Sequence, residues 1–313
     1  MIGTILGQVT GQLDKRFILN ALFPTLAFAL AVMLAIAAGC DSGPLGPVEA
    51  WESDSVAAKV LTAIGAVALV LVAANLLNSK MQTVVGLFEG YDLWPDWLAA
   101  LGRGHQLDRA RKLVEATATQ DNRSNERAKD SFELLFPSYP RILRRDDVAP
   151  TRLGNVLRSA EAYGPSRYGV DSVRVWSRLY PLLPDPITTS MVSARASMEF
   201  LLAVSFLAGI YAPLAALILI VLNGSLFWVF ASLLGGTALA LATYHAALQP
   251  AAIYGEMIRA AVDLHRLDLV KEMAMPMPAN PAEERRVWNQ IQRLFDRNTH
   301  DLNWHYVAPA EKK

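Results

Sequence analysis

The sequence predicts an all-α integral membrane protein: four transmembrane helices continuous with a helical cytoplasmic domain built from the middle segment and the C-terminus. Three observations predict it. Four uncharged stretches are long enough to cross a bilayer, Lys and Arg concentrate on one side of them, and no alternating strand pattern exceeds four residues. Crossing about 30 Å of hydrocarbon takes about 20 helical residues. Composition agrees, with 53% hydrophobic and 19% charged residues. Average globular chains run about 45–50% apolar and about 25% charged, so the shift fits spans joined to a sizeable polar portion.

Residues 1–16 form a short N-terminus ending in Lys15-Arg16, and the first span covers 17–39. Pro24 lies within it and predicts a kink, tolerated in lipid when a neighbour satisfies the freed carbonyl. Ala37-Ala38-Gly39-Cys40 resembles the end of a lipoprotein signal, but an apolar run of 23 residues is of spanning length. A signal h-region takes about 7–15, so an uncleaved span is expected. Cys40 is the single cysteine, which excludes a disulfide framework or a Cys-based zinc site within one chain. Residues 40–59 form a loop and 60–78 the second span. The third and fourth spans share 200–249, fifty residues without a charge, and Asn223-Gly224 is a turn dipeptide near its middle. Splitting there gives spans at 198–222 and 225–249, with Pro250 at the exit.

Direction follows from the basic residues. Between the first two spans, Asp41, Glu49, Glu52 and Asp54 occur without a Lys or Arg from Cys40 to Val56. The segment from Lys80 to Arg195 holds 17 Lys and Arg against 14 acids. The positive-inside bias therefore places both termini and residues 79–197 in the cytoplasm. Arg outnumbers Lys by 21 to 8, a high-GC coding bias that points to a bacterial inner membrane.

The cytoplasmic part reads as helices. Lys80–Gly90 prolongs the second span, with Met81, Val84, Val85, Leu87 and Phe88 at helical spacing. Residues 105–136 read as a solvated helical arm broken near 120–125. Residues 151–183 read as a helix, a tight Gly/Pro turn around Gly164-Pro165 and Gly169, and a second helix carrying Trp176, Leu179 and Tyr180. Residues 250–313 continue the fourth span as helix, pass through a Pro-rich linker at 275–280, and begin a last helix at Asn280-Pro281. Leu87-Phe88-Glu89-Gly90-Tyr91, together with Arg152-Leu153-Gly154-Asn155, Arg167-Tyr168-Gly169 and Trp176, resembles a group of uncharacterised bacterial four-span integral membrane proteins. The resemblance covers roughly half the chain and implies the architecture without an activity.

Catalytic patterns are missing. There is no phosphate-binding Gly-rich loop ending in Lys-Ser/Thr, no paired-His zinc helix and no serine elbow. His265-Arg266-Leu267-Asp268 reads as a solvated helix face rather than a kinase loop. Asp296, His300 and His305 read as an ordinary polar tail rather than a metal site. No ionisable residue lies deep in a span, since Glu199 and His245 fall at cytoplasmic ends. Ion-coupled transporters and intramembrane enzymes usually keep one there, so neither class, nor any cofactor, is expected. The balance of 29 basic against 29 acidic residues argues against nucleic acid as a partner.

What remains polar is narrow. Asn75, Asn78 and Gln82 share one face of the second helix, and Glu89 returns to that face two turns later at 100° per residue. They are candidate pore-lining residues if copies assemble, or amide bonds between helices if they do not. Ala208, Ala212 and Ala216, and Ser232, Gly236 and Ala240, form small-residue rows that let helices approach closely. Arg152, Asn155, Arg167, Tyr168 and Trp176 are the candidates for gating, or for binding a cytoplasmic protein or small-molecule signal. The expected function is an oligomeric pore, an ion channel gated by its cytoplasmic domain. The alternatives are a membrane-anchored sensor or scaffold, or a membrane effector of a bacterial defence or stress system.

Overall fold

A computed structural model describes residues 16–40, 51–53, 55–91, 94–120, 138–139 and 148–297. Among them there are helices and no strands. In chain order these are α1 (Ile18–Gly39), α2 (Val56–Ser79), α3 (Met81–Glu89), α4 (Asp96–Gln120), α5 (Arg152–Glu161), α6 (Tyr163–Arg167), α7 (Ser172–Leu179), α8 (Asp185–Val221), α9 (Leu226–Glu272) and α10 (Pro281–Arg297). Four of them, α1, α2, α8 and α9, are long and apolar enough to cross a membrane. The chain divides into two compact units, Met1–Leu87 with Ala196–Ala247 and Phe88–Arg195 with Leu248–Lys313.

In the first unit, α1 opens with a π-turn at Ile18–Leu22, where the Phe23 amide donates to the Ile18 carbonyl. This wider turn directly precedes Pro24, whose ring has no N–H to give a normal helical bond. The Thr25 hydroxyl donates to the Ala21 carbonyl at 2.7 Å. Proline thus reshapes the first turn of the span without ending it. Ser55 caps α2 by accepting from the Ala58 amide at 3.3 Å. Lys59, in the first turn of α2, donates to the Glu52 carbonyl at 2.7 Å and lies over the Trp51 ring. The turn between α8 and α9 is Asn223-Gly224, with Asn223 at φ 55° and the Gly224 amide donating to the Leu219 carbonyl at 2.7 Å. The small-residue rows bring these two helices together. A Cβ on Gly236 would lie 2.8 Å from that of Ala212, and the Ser205 hydroxyl donates across to the Ala240 carbonyl at 2.8 Å. Leu30, Leu34, Leu61, Ile64, Leu69, Leu217 and Phe227 are exposed on the unit's exterior. Such an exterior suits hydrocarbon and not water.

The second unit is built on a core of Val170, Val175, Leu179, Met191, Val262, Val270, Trp288 and Ile291. Each is supplied by an amphipathic helix or by the turn that leads into one. α5 is buried on nearly every side, and its Gly154 lets the Glu89 backbone pass where a Cβ would collide with it. Asp171 caps α7 through the Val173 and Arg174 amides. Asn280 caps α10, accepting from Ala282 and Glu283 at 3.1 and 3.0 Å.

Several boundaries differ from the sequence expectation. The second helix breaks at Lys80, where φ −99° and ψ 10° interrupt the α geometry before α3 resumes and ends at Gly90 with φ 88°. α4 begins at Asp96, before the expected 105, and the expected arm beyond 120 lies outside the described residues. α8 begins at Asp185, ahead of the expected span, whereas α9 runs through Pro250 to Glu272 as the expected helical continuation. Hydropathy marks the apolar part of a helix, whereas 185–197 and 250–272 carry charges while keeping helical backbone. Pro250 removes one helical hydrogen bond without stopping α9.

Candidate functional site

The amide stripe lies on the exterior of the first unit. Ala74, Leu77, Met81 and Val84 are the buried side chains of α2 and α3, while Asn75, Asn78 and Gln82 are exposed. At 100° per residue the amides fall beside the packed stripe, not on it. The Asn75 amide donates to the Leu71 carbonyl of its own helix at 2.8 Å. Glu89 belongs to the other unit. Its carbonyl accepts from the Thr151 hydroxyl at 3.1 Å, and its side chain is half-buried. Burial, reinforced by Glu161 and opposed by Arg195, pushes its carboxyl up to about 7. Glu89 is therefore a proton-holding group near neutrality instead of a fixed negative charge. Burial likewise raises Glu161 and Tyr91.

At the edge of the first unit, Glu199 accepts from the Arg16 guanidinium at 3.0 Å and from the Asn20 amide at 3.4 Å. The Glu199 side chain is 10% exposed and that of Arg16 34%. This joins Arg16, two positions before α1, to the polar beginning of the apolar part of α8. Between α1, α8 and α9 lies a cavity of about 760 Å³ whose lining, including Phe28, Leu34, Val204 and Leu207, is almost wholly apolar. It offers no polar path for a hydrated ion within one chain.

The second unit holds a network of aromatic and charged groups. The Tyr163 hydroxyl lies 2.9 and 2.8 Å from the two Asp263 carboxylate oxygens, and the Tyr168 hydroxyl donates to one of them at 2.7 Å. Burial and these bonds raise both tyrosines above their ordinary range. Arg266 lies 3.6 Å from the Tyr168 ring centroid, donates to the Asp263 carbonyl, and pairs with Glu284 at 2.7 Å. Glu284 also accepts from the Trp288 indole at 3.3 Å. Arg167 lies over both tyrosine rings. The network therefore ties α6 to α9 and α9 to α10.

Of the five candidates from the 151–183 block, Arg167 and Tyr168 enter this network. Asn155 does not. It is 0% exposed and clamps the turn before α5, donating to the Ala149 and Thr151 carbonyls at 2.9 and 2.8 Å and accepting from the Ala149 amide at 2.8 Å. Its amide is engaged within that turn. Trp176 packs on the core beside Tyr180, with ring centroids 6.1 Å apart, and Arg152 is half-buried at the start of α5. Sequence reasoning missed Asp263, Arg266 and Glu284. Arg266 is half-buried in an ion pair, so the 265–268 segment is only partly a solvated face, with His265 bonded to the more exposed Asp268 at 2.8 Å. Asp296 pairs with Arg174, and His300 and His305 lie outside the described residues. Among the described residues, no group of three His, Cys, Asp or Glu could hold a metal. No protein-family model matches the chain, and neither a curated protein nor a solved structure matches it significantly.

Proposed function

We propose that the chain is a bacterial inner-membrane protein that assembles as a homo-oligomeric pore, gated by its helical unit, with both termini in the cytoplasm. The observation that carries this reading is the exposure of Asn75 and Asn78, with Gln82 one turn beyond, at the end of a helix whose exterior over 63–72 is apolar. Leaving an amide without a partner in hydrocarbon costs about 4–8 kcal/mol on the cyclohexane scale. Water in a shared path, or a second copy, removes that penalty. α8 and α9 each contribute residues to both units without a break in the helix, which supports coupling between them. Single-channel recording from purified protein in a planar bilayer tests the reading. Asn78→Leu should reduce conductance while mass photometry still finds a multiple of 34.2 kDa; a strictly monomeric particle without current ends it. Orientation is tested separately: an impermeant thiol reagent on intact spheroplasts should label Cys40 and, once Cys40 is replaced by Ser, label a cysteine at Ser53 and spare one at Ser124.

A second reading, a membrane-anchored sensor or scaffold, has its own support. Asn75 is satisfied by its own backbone, and the cavity among the spans is apolar. Under it Asn78→Leu alters stability by about 0.6 kcal/mol, the average for interhelical bonds in bacteriorhodopsin, and no current exists to change.

A further inference from the structure

The second unit carries a polar concavity of about 480 Å³ between the turn preceding α7 and the outer face of α10, lined by Pro165, Gly169, Asp171, Arg174, Arg285, Asn289 and Gln292. Its walls are fixed from within. Gly169 has φ 79°, and a Cβ there would lie 3.2 Å from Cγ of Arg285, so the turn and α10 are in close approach. Gln292 donates to the Gly169 carbonyl at 2.9 Å, and Arg285 donates to the Arg167 and Ser166 carbonyls at 2.9 and 3.4 Å.

The charges in this concavity are unevenly spent. Asp171 gives one oxygen to the Val173 and Arg174 amides and the other to Arg174 Nε at 2.9 Å. Asp296, just beyond the rim, pairs with the same guanidinium. Arg174 thus engages both carboxylates. Arg285 has only neutral carbonyl partners, and among the described residues no carboxylate pairs with it. Its Nη2 group makes both of those bonds, leaving the Nε and Nη1 N–H groups uncommitted. Asn289 is exposed one turn along the helix, and Arg293 stands one turn beyond that.

We propose that this concavity binds a phosphate group, with Arg285 supplying the charge and Asn289 a neighbouring amide donor. Its volume falls within the usual range of about 300–1,000 Å³ for small-molecule sites, but most such sites are lined by apolar groups. This polar lining suits a compact ion. A guanidinium fork with free N–H groups matches phosphate oxygens, and charge-assisted bonds of that kind are about twice as strong as neutral ones. A metal cation is disfavoured because both nearby carboxylates are already held. The phosphate could be that of a soluble phosphomonoester or of a lipid headgroup, which share this chemistry. The inference does not depend on whether the oligomer conducts, because binding is read directly.

The test is calorimetric titration of the full-length protein in phosphatidylcholine nanodiscs with inorganic phosphate and with glycerol 3-phosphate. Saturable binding is expected with both. Asn289→Asp places a carboxylate on an exposed site where nothing depends on the amide for folding, and should weaken binding about tenfold or more. Arg285→Lys keeps the charge but loses the fork and should weaken it several-fold, whereas Arg286→Ala, outside the lining, should change nothing. Nanodiscs containing phosphatidic acid separate the two sources. Loss of the soluble titration there, restored by Asn289→Asp to the weakened titration of that variant in phosphatidylcholine, assigns the site to a lipid headgroup; an unchanged titration assigns it to a soluble ligand. No binding of either probe up to about 10 mM, or equal binding by wild type, Asn289→Asp and Arg285→Lys, overturns the proposal.

Discussion

Replacing Glu284 by Gln should destabilise the helical unit by about 2–3 kcal/mol, less than the full loss of a buried ion pair. Arg266 and Glu284 meet at 2.7 Å with side chains 15% and 11% exposed. Removing one partner of a buried pair typically costs about 3–5 kcal/mol, because the other charge stays buried. Two contacts soften that loss. Arg266 keeps its stacking on Tyr168 and its bond to the Asp263 carbonyl, and the glutamine carbonyl can still accept from Arg266 or from the Trp288 indole. Cation–π stacking contributes about 0.5–2 kcal/mol, which sets the size of the discount. Urea unfolding in detergent, followed by tryptophan emission, is the natural assay because Trp288 is fully buried and bonded to the altered residue. The double variant Arg266→Met, Glu284→Leu should recover most of the lost stability, since a well-packed apolar pair replaces two desolvated charges. A Glu284→Gln midpoint within about 0.5 kcal/mol of wild type would show that the pair behaves as a surface bridge, and the reasoning would fail.

Three further outcomes are expected. Because Glu89 is raised from 4.5 to about 7, the folded protein holds a proton that the unfolded chain releases. Its contribution to stability is full below the unfolded value and is lost as pH rises through the folded one, at no more than about 1.4 kcal/mol per pH unit. Glu89→Gln should flatten that decline in urea midpoints measured across the window; an unchanged slope would assign the proton elsewhere. Asn155→Ala should cost about 2–4 kcal/mol, since it strands the Ala149 amide and carbonyl in a buried turn, and hydrogen exchange at the Ala149 amide should accelerate. Gly236→Ala should lower the thermal midpoint in detergent by the equivalent of about 1–3 kcal/mol through overpacking against Ala212. Gly235→Ala, with open space around it, should not.

The spans were legible because lipid crossing imposes a crude requirement: length and absence of charge. The same requirement hides where a helix begins, so α8 starts well before its apolar core, whereas the continuation of α9 past Pro250 follows from the apolar stripe of 251–273. Turn chemistry was read well at Asn223-Gly224 and at Asn280-Pro281, where one or two residues determine backbone geometry. The charged network was not legible. Tyr163 and Asp263 are 100 residues apart, and nothing local in either segment reveals the pairing. Asn155 stood out as a polar residue in a distinctive block, yet its amide serves the turn beside it. The half-burial of Glu89 was not legible either, since burial depends on tertiary neighbours that spacing cannot specify.

The Arg16–Glu199 contact also orders events in time. The partners are 183 residues apart, so at about 5–20 residues per second of synthesis the arginine waits roughly ten to forty seconds for its carboxylate. During that interval neither Arg16 nor Asn20 has this carboxylate as a partner. When α8 arrives, Glu199 enters with a waiting donor pair instead of alone. The bond that clasps this unit is therefore a donor pair made early and a carboxylate made late, each incomplete without the other.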